Sequence, residues 1–579
     1  MTEAAEISGR YLQGMSGSVP LAVALVAAGA IAMRSSAPRL RMWVLVATTA
    51  FGAWAAIQHL SLVDDAFISF RYADRLLAGK GLTFNDGEAV LGITNVGWTL
   101  AVAGVSALTP LDIPQAALLL GGVAWVALLL GTEQLARSYS ERPALPAVAM
   151  VATQFAVVTF ASTGLETLAS AACVTWGYAT LLRARDAPAA GRAGLILALG
   201  GFVRFDHLIF HTVGALALRP RWWAAYFAPT LLFEAFAAWM VWRYGDPIPN
   251  VWYAATPFGT RLGQGALVLG SFWLSAGLLL WLPLAAAGLS WKKLPEATSL
   301  TRLAVPALVV WHLYILASGG DIIFGRSLVV CLPFVAVAAE RGLVALSARG
   351  FGPLAGAAFG LGLLSIPVVA PKDLSQALVD EGSFYPVTSV FPVRIGHHAF
   401  VTGTQLYDLF ANRGLRVTLA THSSGLVGFY SKAEVIDTLG TTDRTVARST
   451  AGSGNSAPRS YLRAREVQIS RQPPFANREG VTRIRLPTLP ESPLNDWHLY
   501  RYDPDFVETV RLWVPELKLP DGVAWVRRQR ARLADMPPAE AADLLRFLDA
   551  WYFPDNPDPA LREEVQLRAA ATSPPTPPH

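Results

Sequence analysis

Long stretches without a charged side chain recur along this sequence, and they constrain its fold more than any other feature. Residues 114–132 carry no charge, and 327–343 carry only Glu340 and Arg341 near their end. About 20 apolar residues in a helix cross the hydrocarbon of a bilayer, where an unpaired backbone group costs several kcal/mol. Further runs cover about 18–33, 42–60, 97–109, 144–161, 167–182, 193–218, 222–242, 265–288, 303–317 and 351–370. Charged residues make up 15% of the chain, against about 25% in soluble proteins. The expected class is a polytopic α-helical membrane protein surrounded by lipid. No basic stripe points to nucleic acid. Cys173 and Cys331 both lie in apolar runs, as small core residues do, and no disulfide framework or cysteine metal site is indicated. The opening MTEAAEISGR is not strongly basic and no small-residue cleavage pattern follows the first run, so a cleavable leader is not expected.

The basic residues set the sides. Arg34, Arg39 and Arg41 lie between the first two runs and mark the inside. Residues 61–98 are then outside. The piece at 97–109 is short and closed by Pro110, so it reads as interfacial or re-entrant. With that choice the arginines at 137, 142, 183, 185, 192, 219 and 221, the lysines at 292 and 293, and the arginines at 341 and 349 all fall inside. Residues 193–218 begin and end inside, so they must form two short segments turning near GFVRFDHL. The count is roughly 12 membrane segments, within a range of about 11–13. The acidic or polar loops carrying Asp64-Asp65, Glu166, Asp246 and Asp321 then share the outer face, with Arg326 beside them. Keeping basic residues inside accounts for the sign of these charges. It accounts less well for the Gly, Pro and Asn residues that punctuate the chain beside each acid.

Three regions follow: 1–370 as the transmembrane domain, 371–555 as a soluble α/β domain on the outer side, and 556–579 as a Pro-rich tail of disordered composition. Within the second region 399–413 reads as a helix. RVTLAT (416–421) and AEVID (433–437) read as short buried strands, and helical patterns recur at about 521–553. No internal repeat is visible.

A carboxylate outside the membrane can deprotonate a hydroxyl, and Asp64 and Asp65 are the first candidates. They are adjacent, so they diverge on a helix, and Asp65 could instead cap a helix over 66–77. Arg204, Asp206 and His207 are costly inside a membrane segment, so they are either functional or a neutralised pair. Arg326 suits a bidentate phosphate contact or could snorkel to headgroups, and Arg71 and Arg75 could bind phosphate or face water. His397, His398 and His422 could suggest a metal but read better as solvated loop histidines. No GxSxG, HExxH, Walker or GxGxxG context supports hydrolase, protease or nucleotide chemistry.

The stretch DDAFISFRYADRLLAGKGLTFNDGEAVLGITNVGW (64–98) resembles the first external loop of GT-C-type membrane glycosyltransferases, nearest the bacterial terminal arabinofuranosyltransferase branch. STGLETL (162–168), YGDPIPNVWYAAT (244–256), SGGDIIFGR (318–326) and SSGLVGFYSKAEVIDTLGTTD (423–443) are similar and follow in family order. The resemblance implies a GT-C membrane fold, with interfacial helices in the first external loop and an extracytoplasmic C-terminal domain that helps to bind acceptor glycan. It implies a bacterial plasma-membrane enzyme that transfers a sugar with inversion from a polyprenyl-phosphate donor to a hydroxyl of a cell-envelope glycan. Asp64 or Asp65 would be the base. Arg71, Arg204 and Arg326 would face the donor phosphate, and Asn95, Glu166, Asp206, His207, Asp246, Asn250, Tyr253 and Asp321 would line the substrate cavity. No cofactor is fixed, although a divalent cation could neutralise the leaving phosphate. Leu91 and Ile93 depart from the family pattern, and Arg204-Phe205-Asp206-His207 replaces Arg-Pro-Glu-Gly, so the sugar stays open. A lipid-linked-sugar transporter or scaffold, and a GT-C enzyme acting on protein or lipid A, are the competing readings.

Overall fold

The computed structural model describes residues 38–138, 145–254, 261–273, 278–290, 297–321, 323–363, 385–449, 469–470, 484–485, 498–499, 522–551, 553 and 558–571. The run expected at 18–33 lies outside them. The chain divides into two compact units, 1–84 with 88–397 and 85–87 with 398–579.

The first unit is a helical bundle. Helix α1 spans Pro38–Gln58, α2 Asp64–Leu77, α3 Val96–Leu108, α4 Ile113–Arg137, α5 Thr167–Leu182 and α6 Ala187–Val203. After these come α7 (Leu231–Tyr244), α8 (Leu278–Ser290), α9 (Ala297–Ser318) and α10 (Leu332–Ala348). Among the described residues, three helices are long and apolar enough to cross a membrane: Ile113–Arg137, Pro220–Tyr244 and Val329–Ala348. Shorter apolar helices make up much of the remainder. Breaks account for part of the shortfall against the expected dozen. Helix α6 stops at Val203 and helix resumes at Leu208, as the turn near GFVRFDHL requires. Pro283 and Pro306 interrupt hydrogen bonding inside α8 and α9. Helix α3, with 13 residues, rises about 20 Å, short of the roughly 30 Å hydrocarbon core.

Helix α4 begins with a complete capping box, in which Asp112 accepts from the Gln115 amide and the Gln115 side chain accepts from Asp112 N. Close helix contacts form at small residues. The Gly342 position on α10 abuts the Leu284 carbonyl of α8, and Gly288 abuts the Ala338 carbonyl. Such backbone approach suits a lipid-bathed bundle, where packing replaces the hydrophobic effect.

A hairpin of β1 (Val387–Val390) and β2 (Val393–Ile395) also belongs to the first unit. Val387 N donates to Leu60 O at 2.9 Å, and Leu62 N donates to Tyr385 O at 3.1 Å, so the hairpin is tied to the entry of α2. The unit boundary therefore falls after 397 rather than after 370.

The second unit contains α11 (His398–Leu409), β3 (Thr418–Thr421), α12 (Ser424–Ser431) and β4 (Glu434–Asp437), followed by β5 (Ile469–Ser470), β6 (Ile484–Arg485) and β7 (His498–Leu499). The strand order is β4-β3-β5-β7-β6, with β3 parallel to both β4 and β5. The two strands expected at 416–421 and 433–437 are both present. The loop tip 85–87 joins this unit because the Asn85 amide pairs with the β4 edge: Nδ2 donates to Val435 O at 2.7 Å, and Oδ1 accepts from Val435 N at 3.0 Å. Helices α13 (Gly522–Arg532), α14 (Pro538–Trp551) and α15 (Pro559–Ala570) enclose a small core of Leu533, Met536, Leu544, Leu548, Leu561 and Val565. The tail expected to lack structure from 556 thus contains a helix. Pro559 at its first turn and Asp558 accepting from Leu561 N provide the start signal.

Candidate active site

Four turns of the first unit bring charged side chains to one place. The first is the start of α2. Asp64 and Asp65 both lie in its first turn, where the positive helix end favours acids. The residue before the helix is Val63, with no side-chain cap, so the capping role considered for Asp65 is not what the fold uses. Asp65 is half-exposed and points to Arg326, whose Nη1 lies 3.3 Å from Oδ2. One helical turn on, Ser69 faces the same way. Its hydroxyl donates to Asn95 Oδ1 at 2.9 Å, and Asn95 Nδ2 donates to Glu166 Oε2 at 2.8 Å.

Glu166 stands at the end of the second turn and is 1% exposed. Gly164 adopts φ +78°, and a Cβ there would meet Leu62 and Phe70 side-chain atoms at 2.8 Å, so only glycine makes this turn without strain. The turn is pinned by Trp98 Nε1 donating to Gly164 O at 2.9 Å and by Val63 N donating to Thr163 O at 3.2 Å. The third turn is the break after α6. Arg204 leaves the helix at φ −154°, and Phe205 N donates to Thr94 O at 3.3 Å, beside Asn95. The fourth is the turn before α10, which delivers Asp321 and Arg326.

The single oxygen Glu166 Oε1 accepts from both arginines, from Arg204 Nη1 and Arg326 Nη2 at 3.1 Å each. Arg204 also grips Asp206 with two contacts, at 2.9 and 3.3 Å. Arg326 Nη1 lies 3.2 Å from Asp321 Oδ2. Four carboxylates thus surround two guanidiniums, and the cluster carries excess negative charge.

The electrostatics separate the acids. Burial by itself would raise Glu166, but Arg326, Arg204 and the Asn95 amide outweigh it and hold the carboxyl down at about 2. Asp65 goes the other way. Desolvation by surrounding protein raises it, Arg326 opposes, and the neighbouring Asp321 and Glu166 charges raise it further. The Asp65 side chain is nonetheless half-exposed. Two carboxylates pushed apart in this way provide a fixed anion and a proton acceptor.

Not every expected residue joins this cluster. Arg71 is buried on another face of α2, with Nε donating to Phe84 O at 2.8 Å and the guanidinium 4.5 Å above the Phe84 ring. Asp246 accepts from Ile248 N at 2.9 Å and from Tyr253 OH at 3.2 Å, and Asn250 N donates to Leu91 O at 2.7 Å, which builds a separate loop contact. His207 is 3% exposed and sits edge-on to the rings of Phe210 and Trp311. His397 lies against the Tyr385 ring. Among the described residues, no group of three or more His, Cys, Asp or Glu is arranged to hold a metal ion. Ser69 was missed at the sequence level. The available signal was its place four residues after Asp65 on an amphipathic helix.

No family model matches the sequence. The chain is 31% identical over 274 residues to the terminal beta-(1->2)-arabinofuranosyltransferase of Mycobacterium tuberculosis, covering 42% of this chain and 43% of that protein. The chain therefore spans less than half the length of the curated relative that it matches. Among solved structures, ArnT from Cupriavidus metallidurans in the apo state aligns with a TM-score of 0.51 at 12% identity, over 74% of this chain and 92% of that chain. A structure of the same protein bound to undecaprenyl phosphate aligns at a lower TM-score of 0.46, with 11% identity over 75% of this chain and 93% of that chain. The protein shares its fold with ArnT, and the mostly helical architecture with apolar helices of membrane-crossing length expected from the sequence is borne out.

Proposed function

We propose that this protein is an inverting glycosyltransferase. It moves a sugar from a polyprenyl-phosphate donor to a hydroxyl of a cell-envelope glycan, on the outer side of a bacterial plasma membrane. The observation that carries the reading is the convergence of Asp65, Glu166, Asp321, Arg204 and Arg326 at four turns, three of which the arginine pattern assigns to one side. The partial likeness to an arabinofuranosyltransferase favours arabinofuranose as the sugar.

Asp65 is the base in this reading, because it is the member of the acidic pair seen to contact Arg326. Its carboxylate takes the acceptor hydroxyl proton, and the oxygen attacks the anomeric carbon from the face opposite the phosphate. The bond from that carbon to the phosphate oxygen breaks, and the phosphate leaves with the electron pair. Arg326 and Arg204 donate to the phosphate oxygens as their charge grows, and such stabilisation at the leaving group is a large part of catalysis. Glu166, which bridges both arginines, holds the guanidiniums in place. Asn95, Asp206 and His207 are assigned to the surrounding wall, whereas Asp246, Asn250 and Tyr253 shape a neighbouring loop.

The test is reconstitution with lipid-linked arabinose and lipid-linked mannose in parallel. Asp65→Asn should lower transfer by about a thousandfold or more, and Asp64→Asn by about tenfold at most, the range over which a general base contributes. Wild-type transfer that survives in Asp65→Asn sinks the assignment of the base. Lipid translocation without sugar transfer by the wild type would support a transporter instead.

A further inference from the structure

Arg326 is claimed by three carboxylates, and the three claims differ in strength. Glu166 is buried, and Asn95 fixes its orientation. Asp65 and Asp321 share the single nitrogen Nη1, at 3.3 and 3.2 Å. Both contacts are long for a charged pair, which normally closes to about 2.7–2.9 Å. Asp65 is half-exposed as well. The remaining Arg326 donor, Nε, is buried and makes no hydrogen bond among the described residues. The guanidinium is therefore incompletely used by the acids around it.

A lipid phosphate approaching this cluster meets excess negative charge. It can bind to Arg326 only if some of that charge moves away or is neutralised. Glu166 is the worst candidate to leave, since it is buried, tied to both arginines and kept ionised. Asp65 and Asp321 are the best, since both are less buried than Glu166 and their contacts fall on one nitrogen.

We propose that Asp65 and Asp321 occupy on Arg326 the place that the donor phosphate takes, so that donor binding itself releases Asp65 to act as base. This rests on the donor reading above and adds an order of events. Without donor, Arg326 holds Asp65 and works against its protonation, because the cation stabilises the charged form. With the phosphate on Arg326, the same carboxylate loses that partner and faces an added negative charge. Its affinity for a proton rises at the moment when the acceptor hydroxyl needs one removed. Arg326 thereby couples the leaving-group site to the base, and Glu166 and Asn95 are the fixed side of the device.

The experiment measures binding of a short polyprenyl phosphate to the full-length protein in nanodiscs, with the matching polyprenyl alcohol as control. Wild type, Asp65→Asn, Asp321→Asn, and each Asn variant combined with Arg326→Gln are compared at neutral pH. Removing a competing carboxylate should tighten phosphate binding by about tenfold, well inside what one unit charge at contact distance can exert near a protein surface. Alcohol binding should not change, and the gain should vanish in the Arg326→Gln background. Phosphate binding by the wild type with no gain in either Asn variant overturns this proposal and leaves the donor reading standing. A gain that persists without Arg326 also overturns it. No phosphate-dependent binding by wild type or any variant overturns the donor reading and this proposal together. Asp321→Asn keeps the test open if Asp65→Asn does not fold.

Discussion

Replacing Glu166 with Gln should weaken the fold and the chemistry together. The carboxyl is held at about 2 against an ordinary value of 4.5. That shift corresponds to about 3 kcal/mol in favour of the charged form. Glu166 is 1% exposed, so little solvent screening discounts the figure. A depressed acid stabilises the fold fully above its unfolded value, and that contribution is lost as pH falls through the folded value. The contribution is therefore complete at neutral pH and declines between about 4.5 and 2. Gln removes the charge and leaves Arg204 and Arg326 facing each other without their shared anion. Breaking a buried pair in this way costs about 3–5 kcal/mol. Thermal unfolding in detergent at pH 7, followed by intrinsic fluorescence, should show Glu166→Gln unfolding several degrees lower. Transfer should fall by about a hundredfold, because displaced arginines no longer meet the phosphate. A variant that unfolds at the wild-type temperature and keeps wild-type turnover would refute the reasoning.

Asp65→Asn should behave in the opposite way on stability. Its pKa is raised in the fold, so the charged form works against folding above the usual carboxylate range, and the neutral variant should be as stable as wild type or more stable at pH 7. For the same reason the acid limb of the wild-type kcat/KM profile should lie above the usual carboxylate value, and a limb at or below about 4 would contradict it. Asn95→Ala should cost about 1.5–3 kcal/mol, the range for a hydrogen bond to a charge. In a double-mutant cycle with Glu166→Gln the two losses should not add, whereas additivity would show that Asn95 does not act through Glu166. Gly342→Ala sets a methyl group against the Leu284 carbonyl, so it should destabilise the bundle by about 1–3 kcal/mol in the same unfolding assay. An unchanged unfolding temperature would mean that α8 and α10 shift apart at little cost.

The sequence by itself determined the class of fold and the address of the site. Apolar runs of bilayer length can be satisfied only by helices, and the arginine pattern assigns Asp64-Asp65, Glu166, Asp321 and Arg326 to one side before any contact is known. The break at Arg204 was legible too, since residues 193–218 had to turn where the charged residues fall. Tertiary structure decided how the charges pair. Residues 65, 166 and 326 are far apart in the chain, and nothing local says that one Glu166 oxygen bridges two arginines. Adjacent aspartates look alike in a sequence. The helix begins at Asp64 after an uncapped Val63, and Asp65 meets Arg326. Structure also set Arg71 apart, because a guanidinium's partners depend on which face of the helix carries it, and here Phe84 is among them. Ser69 and Asn95 carry no charge to betray them, and folding alone places them between the first turns of α2 and Glu166.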